Sequence, residues 1–121
     1  MASESINILD AFARFSEQWS PRVIAELNDY QVKLARLEGA FVRHRHHDTD
    51  ELFLVIRGQL DIEVADTTVH LREGELYVVP KGMEHCPHAE QECLVMLIEP
   101  RGVVNTGDAG GDRTAENDVW I

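Results

Sequence analysis

Three histidines and one glutamate have the types and spacing to hold a single metal ion. His44, His46 and Glu51 lie in the run GAFVRHRHHDTDELFLVIRG between Gly39 and Gly58, and His85 lies in GELYVVPKGMEHCPHA after Gly74. Successive side chains of an extended chain point to opposite faces, so His44 and His46 share one face while Arg45 takes the other. Glu51 opens the apolar run Glu51 to Ile56 after the polar turn His47 to Asp50, an order that returns its carboxylate towards the two imidazoles. His85 follows Pro80-Lys81-Gly82, a turn sequence that ends one strand and redirects the chain. Mixed nitrogen and carboxylate donors suit divalent iron, manganese, nickel, cobalt, copper or zinc, whereas magnesium and calcium prefer oxygen alone. Three imidazoles that bind only when neutral predict an affinity that falls steeply below about pH 6.

The remaining histidines fit this scheme less well. His47 is out of phase with the His44/His46 face, His70 precedes Leu71 in a strand whose apolar residues are Val69 and Leu71, and His88 in extended chain faces away from His85. All three are expected at the surface. Tyr77 and Glu84 are candidates for proton transfer or for supporting the metal ligands, with barrel packing and a solvated turn as the plainer readings. Cys86 and Cys93 lack a paired spacing, so neither a disulfide framework nor a thiolate metal site is expected.

The elements that must position these residues are mostly short strands. Ile8, Leu9, Phe12 and Phe15 recur at helical spacing between Ser5 and Gln18, with Ser5 or Asn7 as N-cap and Pro21 as the stop. Strands are predicted at 30–37, 41–45, 51–56, 59–65, 68–71, 76–79, 85–89 and 93–99, punctuated by glycines 39, 58, 74 and 82. This spacing describes an all-β fold, a small antiparallel barrel or jelly roll with an N-terminal helix. Its core is expected from Leu52, Leu54, Ile62, Val64, Val79, Leu94 and Met96. The strands 51–56 and 94–98 are apolar on both faces, so their outer faces need a cover. The helix supplies part, and a symmetric homodimer supplies the rest. The polar tail after Arg101 ends in Val119-Trp120-Ile121, an apolar anchor expected to dock.

Residues 39–89 resemble the two motifs of the cupin family. Gly39, His44, His46, Glu51 and Gly58 match the first, and Gly74, Pro80, Gly82 and His85 match the second. The gap between Gly39 and His44 is one residue short of the usual form, and Ala89 stands where the family has asparagine. The flanks are similar to short bacterial single-domain cupins of the mannose-6-phosphate-isomerase-like group. The resemblance implies one cupin domain over 1–121, comprising the helical region 1–20, the barrel 30–99 and the tail 100–121. It also implies that His44, His46, Glu51 and His85 bind a divalent metal.

Composition narrows the function. The chain has 121 residues, a single-domain length. Its 22 acidic against 11 basic residues give a formal charge of −11, which argues against nucleic acid as a partner. No run of 18 apolar residues and no leader-like start in MASESINILD point to a cytoplasmic protein without a membrane partner. The site suits a metal-dependent enzyme acting on a small polar metabolite, isomerase-like or dioxygenase-like. The alternative is a non-catalytic module that binds metal or a small ligand. Lys33, Arg36 and Arg43 are the basic residues nearest in sequence for holding a substrate phosphate.

Overall fold

The computed structural model describes residues 4–121, and antiparallel strands form most of its regular structure. A helix α1 (Ile8–Phe12) precedes β1 (Arg22–Leu27), β2 (Tyr30–Ala40), β3 (Glu51–Arg57), β4 (Leu60–Val64), β5 (Thr67–Leu71), β6 (Leu76–Val79) and β7 (His85–Pro100). The sheet runs β1-β2-β7-β3-β6, and β4 joins β7 while carrying β5 on its other side. Among the described residues no ladder joins β1 to β6, so the sheet is an open sandwich and not a closed barrel.

β7 organises the fold. One edge follows β2 from Ala40↔His88 to Tyr30↔Pro100. The other edge pairs with β4 over His85–His88 and with β3 over Leu94–Ile98. The two strands expected at 85–89 and 93–99 are thus one continuous strand. The exchange of partners requires the tight β3–β4 connection at Gly58, where φ is +87° and a Cβ would stand 3.1 Å from the Glu92 carbonyl oxygen. Only glycine fits there.

Strand parity sorts the apolar residues into two layers. Phe53 and Val55 of β3 and Cys93, Val95 and Leu97 of β7 are buried with Ile62, Val64 and Val79 in the main core. Leu52, Leu54, Leu94 and Met96 lie on the opposite, half-buried face, which corrects the sequence-based core. Cross-strand register aligns that outer face in rows, Val32–Ile98–Leu52–Val78 and Leu34–Met96–Leu54–Leu76. At the β2 end the helix covers the row, and Leu34 is buried with Ala11, Phe12 and Phe15. At the β6 edge Leu76 is 56% exposed and Val78 is 41% exposed.

The helix is shorter than its periodicity suggests. Asn7 caps it by accepting a hydrogen bond from the Asp10 amide at 2.9 Å, and it stops at Phe12. The Arg36 guanidinium donates to the carbonyls of Phe12 and Phe15, both at 2.8 Å, and so satisfies acceptors that further helical turns would have used. Residues 1–3 of the expected helical region lie outside the described residues. Pro21 does not end the helix but precedes β1, a strand the sequence reading missed. At the other end of the chain the Val23 amide donates to the Val119 carbonyl, and Ile121 packs on the helix cluster. Ile121 is the docked anchor, whereas Trp120 is 48% exposed.

Candidate metal centre

The segment 41–45 does not form a ladder strand; it meets β7 through an isolated bridge between His44 and His85 and a hydrogen bond from the Phe41 amide to the Pro87 carbonyl at 3.0 Å. That bridge is reciprocal. The His44 amide donates to the His85 carbonyl at 2.9 Å, and the His85 amide donates to the His44 carbonyl at 2.8 Å. Glu51 is the first residue of β3, opposite Val79, the last residue of β6. The turn after β6 reaches back, with the Gly82 amide donating to the His46 carbonyl at 2.8 Å. Backbone hydrogen bonds thereby brace the three chain segments that carry the four side chains.

The four side chains converge as the sequence predicts. One donor atom from each of His44, His46, Glu51 and His85 lies within 4.8 Å of the others, and all four residues are buried. Glu51 Oε1 is 3.3 Å from His46 Nε2 and 3.4 Å from His85 Nε2. None of these three atoms has a hydrogen-bond partner. Leaving one buried polar atom unsatisfied costs about 1–3 kcal/mol, and three facing one another need a common partner. A divalent cation would satisfy all three. The ring orientations agree, because Nδ1 of His44 sits 2.9 Å from the Val42 carbonyl and Nδ1 of His85 sits 3.0 Å from the Met83 carbonyl. Each Nδ1 then carries the proton, and each Nε2 keeps its lone pair for a metal.

Burial sets the charges. It pulls His44 down to about 4, opposed by the Val42 carbonyl and reinforced by the neighbouring His85. Burial alone would raise the Glu51 carboxyl, but contacts with His46, His85 and Glu99 outweigh it and hold the group well below the usual carboxylate range. A neutral imidazole and an ionised carboxylate are the forms that bind a divalent ion. Glu99 moves the other way, pushed well up by burial and by the nearby Glu51 charge against the pull of Lys33.

The tail supports the centre from behind. The Asp108 carboxylate accepts from the Arg45 amide at 2.8 Å, and the Asp108 amide returns a bond to the Arg45 carbonyl at 3.0 Å. Gly107, at φ +53°, lies so close that a Cβ would stand 2.9 Å from His44 Cδ2 and overlap the Arg45 carbonyl.

Two spaces flank the cluster. On one side His44 and Glu51 border an inner cavity of about 30 Å³ walled by Trp19, Phe41, Phe53 and Leu97, with Glu99 in its lining. On the other side His46 borders an open surface groove of about 420 Å³ between Arg45, His47 and Asp108. Trp19 stacks on Phe41 with ring centroids 4.5 Å apart. Its backbone sits at φ 57°, a left-handed conformation costly for a bulky side chain. The Trp19 amide bonds to the Arg36 carbonyl and its indole to the Glu38 carbonyl, which holds that conformation in place.

The other candidates lie apart. Tyr77 packs against the main core opposite Phe53 and is absent from the cavity lining. Glu84 pairs with Arg43 and Arg45 at the surface. His47, His70 and His88 are exposed, and His70 bonds to Asp61. Cys86 and Cys93 are free thiols. Glu99 is the site-adjacent residue that sequence reasoning missed, and Lys33, considered from the sequence as a phosphate holder, is its partner. The signal for Glu99 was strand parity, since it continues the inward series Cys93, Val95, Leu97.

Residues 32–99 match the family model described as the Cupin domain. The chain belongs to the cupin family. It is 36% identical over 98 residues to an uncharacterized protein of Bacillus subtilis, an alignment that covers 80% of this chain and 87% of that protein. The fold of a cupin-2 domain containing protein from Shewanella frigidimarina superposes with a TM-score of 0.78 at 56% identity, covering 79% of this chain and 94% of the other. Similarity to 3-hydroxyanthranilate 3,4-dioxygenase of Danio rerio is 31% over 78 residues, which is 60% of this cupin and only 27% of that enzyme.

Proposed function

We propose that this cupin binds a divalent metal through His44, His46, Glu51 and His85 and works as a dioxygenase-like enzyme on a small metabolite. The observation that carries the reading is the set of buried, unpartnered atoms Nε2 of His46, Nε2 of His85 and Oε1 of Glu51 facing one another. A metal there would act as a Lewis acid toward a ligand oxygen, and a redox-active ion such as iron would add electron transfer. The chain's own residues hold and shield the centre. The Val42 and Met83 carbonyls orient two imidazoles, Glu51 offsets metal charge, and Trp19, Phe41 and Phe53 limit water on the inner side.

The sugar-phosphate reading suggested by the mannose-6-phosphate-isomerase-like resemblance finds the nearby cations already paired: in the outer groove Arg45 faces Glu84 and Asp108, and Arg101 faces Glu26. The inner cavity lining contains no Lys or Arg. Lys33 is spent on Glu99 and the Val103 carbonyl, Arg36 on the helix carbonyls, and Arg43 on Glu63 at the surface. Polar groups at the end of an apolar slot favour catalysis over passive storage, and the similarity to 3-hydroxyanthranilate 3,4-dioxygenase supports the oxidative version. A homodimer and a cytoplasmic location complete the proposal; among the described residues no helix is long and apolar enough to cross a membrane.

The test is elemental analysis of protein purified without a metal-affinity tag, followed by oxygen uptake during a metabolite screen. Stoichiometric redox-active metal and metal-dependent oxygen consumption are expected. Bound metal with no turnover across the screen would return the site to the binding-module reading.

A further inference from the structure

Lys33 bonds one oxygen of Glu99, Oε2, at 2.7 Å and leaves the other, Oε1, buried and without a partner. Glu99 lines the inner cavity beside His44 and Glu51. Asn105, a further polar residue of that lining, is fully used, since its amide group donates to the Trp19 and Arg113 carbonyls and accepts from the Ala115 amide. Glu51 Oε1 has the metal as its partner under the reading above, whereas Glu99 Oε1 meets no N–H or O–H donor within the protein and has the Glu51 carboxylate as its polar neighbour. The neighbouring walls are flat and apolar: Trp19 stacked on Phe41, with Phe53 and Leu97 beyond.

We propose that Glu99 selects the ligand of this site, its Oε1 forming a hydrogen bond with the hydroxyl of a planar, otherwise apolar molecule that slides between the Trp19/Phe41 wall and the metal centre. The inference rests on the metal-centre reading, which fixes where the ligand's polar end lies. A hydroxyl is the fitting group because it donates and accepts, and because one contact at the end of an apolar slot rejects a ligand that lacks it. At about 30 Å³ the cavity holds a water or two, so a ring enters only as the Trp19 indole swings aside. That indole lies outside the ladder strands and is held by one hydrogen bond to the Glu38 carbonyl and by its stack on Phe41.

The experiment titrates metal-loaded protein with phenol and with toluene, which share a ring and differ in the hydroxyl. Calorimetry reads affinity, and tryptophan fluorescence in a Trp120→Phe background, which removes the second indole of the chain, reports Trp19. Phenol should bind at least about tenfold more tightly than toluene. The double variant Lys33→Met/Glu99→Leu, which removes both buried partners together, should bring the two affinities to near equality while metal content stays unchanged. Equal affinities in the wild-type protein, or no phenol binding in any preparation, overturn the proposal even if the variant does not fold. A phenol preference that survives in a folded variant overturns it as well. Absence of metal from every preparation, with the phenol preference present and lost in the variant, sinks the metal-centre reading alone and leaves the assignment of Glu99 standing.

Discussion

Lys33 Nζ lies 2.7 Å from Glu99 Oε2, with the two side chains only 3% and 2% exposed. Groups so deep in a small sheet lose most of their hydration, and with burial and the Glu51 charge pushing the Glu99 carboxyl well up against the pull of Lys33, their attraction does little more than offset that loss. Such a pair contributes little net stability, yet removing one partner strands the other. Lys33→Met alone should therefore lower unfolding free energy by about 3 kcal/mol, and Lys33→Met/Glu99→Leu should recover most of the loss. Urea denaturation of the three proteins measures both effects; equal stability of single and double variants would show that the ions do not depend on each other.

The second expectation concerns pH. His44 is held neutral, down to about 4 against 6.5 for the free side chain. Between those values the unfolded chain takes up a proton that the folded chain refuses, so stability falls as pH drops through this window, by about 3 kcal/mol in all for this group. Denaturation of metal-free protein at pH 7, 5.5 and 4 checks it, with His44→Gln expected to flatten the slope. The same shift corrects the expected proton competition for metal. One of the three imidazoles stays free of protons well below pH 6, so affinity declines less steeply than three ordinary histidines would give.

Removing a ligand should cost metal far more than fold. His85→Ala is expected to lose stoichiometric metal while keeping the far-ultraviolet dichroism of the parent, because Phe53, Val55, Ile62, Val95 and their neighbours bury a continuous apolar core. Thermal melting should show a lowered but still cooperative transition. A variant that is unfolded at room temperature would make the metal a structural staple.

Gly107 tests whether the tail belongs to the site. Gly107→Ala pushes a methyl group into His44 and the Arg45 carbonyl. Displacing a ligand's support typically costs about 10–100-fold in metal affinity, and that range is expected here. Competition with a chelator of known affinity gives the number, and an unchanged value would show that His44 tolerates the shift.

The bare end of the outer face predicts assembly. The rows ending in Leu76 and Val78 are capped by the helix only at the β2 side, so a second copy is expected to cover the β6 side. Light scattering should give twice the chain mass at micromolar concentration, and Leu76→Lys/Val78→Lys should give the mass of one chain. A single-chain mass for the unaltered protein would remove the dimer.

The convergence of His44, His46, Glu51 and His85 was legible because their positions follow from strand parity and turn chemistry, both local properties. Which face of β3 turned inward was also encoded, since a ligating Glu51 carries Phe53 and Val55 inward with it and sends Leu52 and Leu54 out. Reading the run as uniformly apolar lost that information. The helix end was not legible, because Arg36, far along the chain, supplies the donors that stop it at Phe12. β1 was hidden for a similar reason: its pairing includes a register shift between Val23 and Ala25, which breaks the alternation that marks a strand. Lys33 and Glu99 face each other only across the β2–β7 ladder, and no local pattern announces a partner 66 positions away.

β7 holds His85 at its first residue and Glu99 next to its last, and it is flanked by other strands along most of that length. Its amide hydrogens therefore exchange with solvent only when several ladders part together. In deuterated water this strand would stay protonated longest, so the frame that sets the spacing between the ion and the selecting carboxylate is the last part of the molecule to let go. Loops around it are free to diverge and change what enters, while the ruler between those two groups keeps its length.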